Sequence, residues 1–232
     1  MLRRAPLLSD ETYHIFNRGA HKQPLFSCEA DYQRFLVLLH FSNNHDPIVL
    51  RDVLEKSMYR GRFSGEIFLE PADKSLVDIF GYSLLPNHFH LILRQKSDTG
   101  ITDFMRKLCV GYSMYYNLKY EHSGTLFQGR FKSSHINAEP YFKWIFPYVH
   151  LNPIALIEPR WQETGIESAQ RAKDFLAKYH YSSYPDYYFV ERPERAILAY
   201  EEGAHFIDRK ADVESLIGDY SRGQFLHQDA IV

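Results

Sequence analysis

Residues 80–94 read FGYSLLPNHFHLILR, an apolar run, a Pro86-Asn87 turn, and a second apolar run that opens with His88 and His90. Two apolar segments joined by a two-residue loop of turn formers predict an antiparallel hairpin, with strands over residues 77–85 and 88–94. Side chains on a strand alternate faces, so His88 and His90 point one way while Phe89 points the other, into a core. A rigid surface that carries two neutral imidazoles is able to clamp a metal and leave coordination positions open for substrate or water. The alternative is a pair of partly solvated histidines on a sheet face.

Outward from the hairpin the pattern alternates between strand and helix. TYHIFN at residues 12–17 is short, β-prone and alternating, and it ends on the turn signal Arg18-Gly19. Residues 29–44 place Tyr32, Phe35, Leu36, Leu39 and His40 at helical spacing, with Ser27 as a candidate cap. PIVLR at residues 47–51 reads as a short strand, and residues 52–75, with Gly61, Gly65 and Pro71, read as an insertion. Beyond the hairpin, residues 101–120 form an aromatic-striped helix with Thr102 as candidate N-cap. A strand follows over residues 131–137, then a helix over 138–151 with Asn137 as candidate cap, Pro140 in its first turn and Pro153 as its stop. This order predicts an α+β fold: a ferredoxin-like antiparallel sheet with helices on one face. Residues 1–160 are read as the catalytic domain and residues 161–232 as a C-terminal extension, mostly helical or irregular.

Composition limits the function. Hydrophobic residues make up 45% of the 232-residue chain, enough for a core, and no apolar run reaches the roughly 18 residues of a membrane span. The N-terminus MLRRAPLLSD lacks the apolar stretch of a secretory signal, so a cytoplasmic protein without membrane partners is expected. Cys28 and Cys109 are too few for a disulfide framework or a four-cysteine zinc site, so any metal must rest on His, Asn, Gln, Asp or Glu. The net charge of −2 is uneven: residues 1–160 carry 19 Lys plus Arg against 16 Asp plus Glu, and residues 161–232 carry 8 against 13. A basic groove must therefore come from local clustering, as in Arg106, Lys107, Lys119, Arg130, Lys132 and Lys143.

The last core helix holds the complement of the histidine pair. Tyr148 and Asn152 are four residues apart and so share a helix face. If that face meets the sheet at His88 and His90, Asn152 completes a three-ligand site and Tyr148 stands beside it as a nucleophile. A phenol near pKa 10 needs help to attack phosphorus. A divalent ion supplies that help by drawing charge off a phosphate oxygen. The plain alternatives are a core tyrosine and a helix C-cap asparagine before Pro153.

Four motifs, YHIFNRG (Tyr13–Gly19), PNHFHLIL (Pro86–Leu93), GTLFQGRFKS (Gly124–Ser133) and YVHLNPI (Tyr148–Ile154), together resemble the REP-associated tyrosine transposases, a branch of the single-tyrosine HUH transposases. The resemblance covers roughly residues 10–190. It implies a ferredoxin-like core acting on single-stranded DNA beside short hairpins, as a monomer or a homodimer. It also implies His88, His90 and Asn152 as ligands of Mg²⁺ or Mn²⁺, and Tyr148 as a nucleophile that forms a 5′-phosphotyrosine link. By the same resemblance Asn17, Arg18 and His21 approach a guide sequence. Gln128, Arg130 and Lys132 offer donors for phosphates and base edges, and Tyr112, Tyr115 and Phe127 offer faces for unpaired bases, with core packing as the alternative and the preferred reading for Tyr112. Three features depart from the family's pattern: Pro147 directly before Tyr148, the 52–75 insertion, and the acidic tail. They leave open a catalytically inactive, domesticated nucleic-acid-binding protein as the alternative.

Overall fold

A computed structural model describes residues 6–46, 67–68, 75–205 and 215. The expected strand at 47–51 and the helical pattern around 210–220 lie outside these residues, apart from residue 215. So does the 52–75 insertion, except for Ile67, Phe68 and Ser75. Four strands form one antiparallel sheet: β1 (Thr12–Arg18), β2 (Val77–Leu85), β3 (His88–Gln95) and β4 (Lys132–His135). Their spatial order is β2-β3-β1-β4. With α1 (Glu29–Ser42) between β1 and β2, and α2 (Gly100–Tyr120) between β3 and β4, this is the ferredoxin-like plan that the sequence predicts. Pro86-Asn87 closes the β2–β3 hairpin as a two-residue loop.

The pleat sorts the two faces. Phe89, Leu91 and Leu93 point toward α1 and α2, where Phe89 meets Phe35 with ring centroids 5.1 Å apart. The opposite face carries His90 and Ile92 and is covered by α3 (Glu139–Leu151) and the residues that follow it. The sheet is therefore clad on both sides rather than on the one face expected from sequence, because the last core helix packs opposite α1 and α2, and β2 is buried along its whole length. Pro147 sits inside α3 and removes one backbone donor, at a cost of about 3 kcal/mol. Phe142, Trp144, Ile145, Phe146, Val149 and Leu151 are all buried on this helix, at roughly 1.5–3 kcal/mol each. Packing outweighs the lost hydrogen bond, and the helix runs through the proline.

Helix starts differ from the expected caps. Cys28, not Ser27, is the N-cap of α1. The Asp31 carboxylate reaches back to the backbone N–H groups of Ser27 and Cys28 at 2.8 and 3.1 Å. α2 begins at Gly100 behind Thr99, which places Thr102 inside the helix, and α3 begins behind Ala138 rather than Asn137. Gly100 is required by space, since a Cβ there would stand 2.4 Å from the Leu76 carbonyl oxygen.

Residues 161–205 pack on the β2 side. The Leu84 N–H donates to the Tyr181 carbonyl at 2.9 Å, the Ser183 N–H to Tyr82 at 3.0 Å, and the Ala199 N–H to Ile79 at 2.9 Å. This segment saturates an otherwise open sheet edge. Trp161, Leu176 and Tyr184 join the same buried cluster as the sheet.

Candidate active site

The site grows from the pairing of β1 with β3. Antiparallel register sets Phe16 opposite His90 and Arg18 opposite His88, so all four share one face. The turn after β1 then draws the surrounding loops together. The Gly19 N–H donates to the Asn87 carbonyl at 2.9 Å, Ala20 to Leu126 at 2.9 Å, and Gln128 to the Arg18 carbonyl at 2.9 Å. Only glycine fits at residue 19, because a Cβ would stand 2.1 Å from the Gln23 carbonyl oxygen.

Above this face, α3 presents Tyr148. Its ring stands edge-on to His90 at 5.5 Å and to His14 at 6.0 Å between centroids, and stacks on Trp144 at 5.3 Å. The phenol, His88, His90 and Asn152 line one pocket of about 320 Å³, together with Arg18, Lys22, Asn87 and Gln162. The sequence reading required this convergence, and the fold supplies it. Tyr148 is only 2% exposed, and burial pushes its pKa up to about 12, while hydrogen bonds to the Asn152 and Gln162 side chains act in the opposite direction.

Both imidazoles are neutral at physiological pH. Burial leads in bringing His88 down to about 4, with the positive charge of Arg18 adding to it and a hydrogen bond to Asn152 opposing it. His90 lies well below the ordinary range, through burial first and then its neighbours His88, His14 and Arg18. His88 Nδ1 is 2.7 Å from Asn87 Oδ1, so this nitrogen carries the proton and Nε2 keeps its lone pair. His90 Nδ1 is 2.9 Å from His14 Nε2, and His90 Nε2 is buried without a hydrogen-bond partner. An unpartnered ring nitrogen facing the pocket beside a second neutral imidazole and an amide fits a divalent ion. Among the described residues no three His, Cys, Asp or Glu side chains form a metal group. A third protein donor at this pocket would have to be an amide, and Asn152 lines it.

The expected DNA-contact residues divide. Arg18 lines the pocket, and Arg130 and Lys132 are exposed along a groove of about 1140 Å³ that also takes in Phe16, Phe127 and Phe131. Asn17 lines both the pocket and the groove, and its amide is also bonded within the chain: Nδ2 donates to the Gly129 carbonyl at 3.0 Å and Oδ1 accepts from the Arg18 N–H at 2.9 Å. It anchors the 127–130 loop to the sheet. His21 is exposed in a left-handed turn (φ 52°), and the Gln128 side chain is exposed; neither lines the pocket or the groove. Tyr112 is fully buried with its hydroxyl on the Leu25 carbonyl, and Tyr115 donates to Asp31.

The expected basic cluster disperses only in part. Arg106 lines the groove with Arg130 and Lys132 while pairing with Asp103; Lys119 pairs with Asp31 and Lys143 with Glu139, and Lys107 donates to the carbonyls of Asn44, His45 and Asp46. His14, Lys22 and Gln162 were not singled out from sequence. His14 was detectable, because the alternation of TYHIFN puts it on the face of Phe16. Gln162 was not, since its position depends on how the chain folds back after α3.

Residues 49–152 match the family model described as "Transposase IS200 like". Among curated proteins none matches at a significant level. Among solved structures, a REP-associated tyrosine transposase bound to a REP hairpin is similar at 14% identity, with a TM-score of 0.46, covering 80% of this chain and 83% of that one. Among the described residues no helix is long and apolar enough to cross a membrane. The family match thus takes in both the histidine hairpin and the helix that carries Tyr148.

Proposed function

We propose that this protein cuts and rejoins single-stranded DNA beside a hairpin, with Tyr148 as nucleophile and His88, His90 and Asn152 as the ligands of Mg²⁺ or Mn²⁺. The observation that carries the reading is the meeting of these four side chains in one pocket. When bound, the ion supplies Lewis-acid charge at a phosphate oxygen. The Tyr148 oxygen attacks the scissile phosphorus, the bond to the 3′ oxygen breaks, and that oxygen leaves as a 3′-hydroxyl after taking up a proton. The product is a 5′-phosphotyrosine that the same or another 3′-hydroxyl reverses, so no nucleotide cofactor is consumed. Asn152 and Gln162 hold the phenol oxygen in place and favour its ionised form. Trp144 fixes the plane of the ring.

The groove gives the strand a path out of the pocket. Phe16 and Asn17 border both hollows. Lys132 Nζ lies 5.7 Å over the Phe16 ring and Arg130 stands beyond it, so phosphates meet cations while bases meet aromatic faces.

One observation favours a binding-only protein as the second reading: the nearly complete burial of the Tyr148 phenol. A single experiment separates the two. A 3′-labelled single strand with a hairpin is incubated with Mn²⁺ and run on a denaturing gel. The proposal expects a covalent adduct that disappears in Tyr148→Phe, whereas strand retention without any adduct supports the binding-only reading.

A further inference from the structure

We propose that His14 is a positioning residue for the metal site, acting through His90. The inference rests on the reading of His88 and His90 as ligands and adds to it the group that makes His90 competent. His14 is completely buried on β1, and its Nε2 lies 2.9 Å from His90 Nδ1, with the two rings stacked at 5.1 Å and 16°. A neutral imidazole carries one N–H, and it ligates through the other nitrogen.

For His90 to offer Nε2 to the pocket, the proton must sit on Nδ1, and His14 Nε2 is the acceptor placed to receive that hydrogen bond. The opposite assignment, with His14 donating, puts the proton on His90 Nε2 and closes the site. The arrangement parallels that of His88, whose Nδ1 is held by Asn87 Oδ1 at 2.7 Å. Each candidate ligand thus has its own outer partner, one amide and one imidazole. Such partners orient the ring and set the tautomer, and their loss typically lowers metal affinity by about 10–100-fold.

His14 serves here beyond packing. Its own Nδ1 is buried without a partner, a cost that an apolar residue of the same shape would not carry. His14→Phe should therefore fold at least as stably as the parent while binding the ion more weakly.

The test uses the full chain and Mn²⁺ alone, with binding followed by the electron paramagnetic resonance of the unbound ion. His14→Phe should weaken Mn²⁺ binding at least tenfold. His14→Gln, whose Oε1 reaches toward the position of Nε2 and accepts but cannot ligate there, should recover most of the loss. Equal binding by His14→Phe and the parent overturns the proposal and leaves the metal site standing. No Mn²⁺ binding by the parent removes both. Independently of any variant, ring ¹⁵N spectra of the parent saturated with Mg²⁺ should show His90 protonated on Nδ1. Protonation on Nε2 refutes the role of His14.

Discussion

Tyr148 carries a tension between placement and readiness. Its pKa of about 12 means that, before the ion and strand act on it, about one molecule in 10⁵ holds a phenolate at pH 7. If the phenolate is the attacking species, cleavage at saturating ion should rise with pH, by up to tenfold per unit between pH 6 and 8. A flat profile across that window in single-turnover assays would show that deprotonation does not limit the reaction. Gln162→Leu removes one of the two side-chain bonds that pull this pKa down. It should slow cleavage about tenfold with oligonucleotide affinity unchanged, as measured by adduct rate and fluorescence anisotropy in parallel. The convergence of Tyr148, His88, His90 and Asn152 follows from strand alternation and helical spacing, so this placement was legible in the sequence; the roles proposed for them rest on the family resemblance. That Asn17 also anchors the 127–130 loop was not legible, because an amide in a turn motif looks the same in sequence whether it faces solvent or holds a loop.

At the scale of elements, the junction of α1 and α2 is held by one buried carboxylate. Asp31 is 0% exposed and takes hydrogen bonds from Lys119 at 2.6 Å, Tyr120 at 2.7 Å and Tyr115 at 2.9 Å, besides the two backbone N–H groups at the start of α1. Burial alone raises its pKa, but these donors, Lys119 foremost, overcome it and hold the carboxylate at about 2. Asp31→Ala strands the donors and should cost about 3–5 kcal/mol in urea unfolding, while a loss under 1 kcal/mol would mean that water replaces it. The sequence could not assign this cap. Which oxygen reaches the first N–H groups of a helix depends on the approach of the chain, and Ser27 and Asp31 are both able to do so on paper. Element types were legible because apolar period is a local property. Lys119 illustrates the limit: as a surface cation it belonged to a basic patch, and in the fold it is the partner of Asp31.

At the scale of the whole molecule, burial keeps four histidines, His14, His88, His90 and His150, neutral. Burial is the leading cause of the fall to about 3 for His14 and His150 and about 4 for His88, and it holds His90 well below the ordinary range. An unfolded chain protonates these rings near pH 6.5 and the folded one does not, so the unfolded state binds more protons between those values. Stability is therefore full above about pH 6.5 and declines as pH falls toward 4, by up to about 1.4 kcal/mol per pH unit for each ring. The melting temperature should drop steadily across that window. His150, bonded to Ser183 at 2.8 Å and not among the residues that line the pocket, provides the control: His150→Leu should flatten the slope, and an unchanged slope would contradict this origin.

The proposed DNA binding is likewise a property of the whole surface. Arg130→Glu and Lys132→Glu should each weaken oligonucleotide binding and reduce the salt slope by about one or more phosphate contacts, which a titration between low and moderate salt would read. The net charge of −2 does not reveal this groove, but the local clustering named from sequence does in part, since Arg106 of α2, Arg130 of a short loop and Lys132 of β4 all line it.

The central claim is that the phenol of Tyr148 and the imidazoles of His88 and His90 act on one phosphodiester. Its most direct measurement is mass spectrometry of the protein after incubation with a hairpin-bearing single strand and Mn²⁺, followed by peptide mapping. A nucleotide fragment linked through its 5′-phosphate to Tyr148, present with the ion and lost in His88→Ala or His90→Ala, is the predicted result. A linkage on another residue, or an unmodified protein in the presence of bound strand and ion, would contradict it.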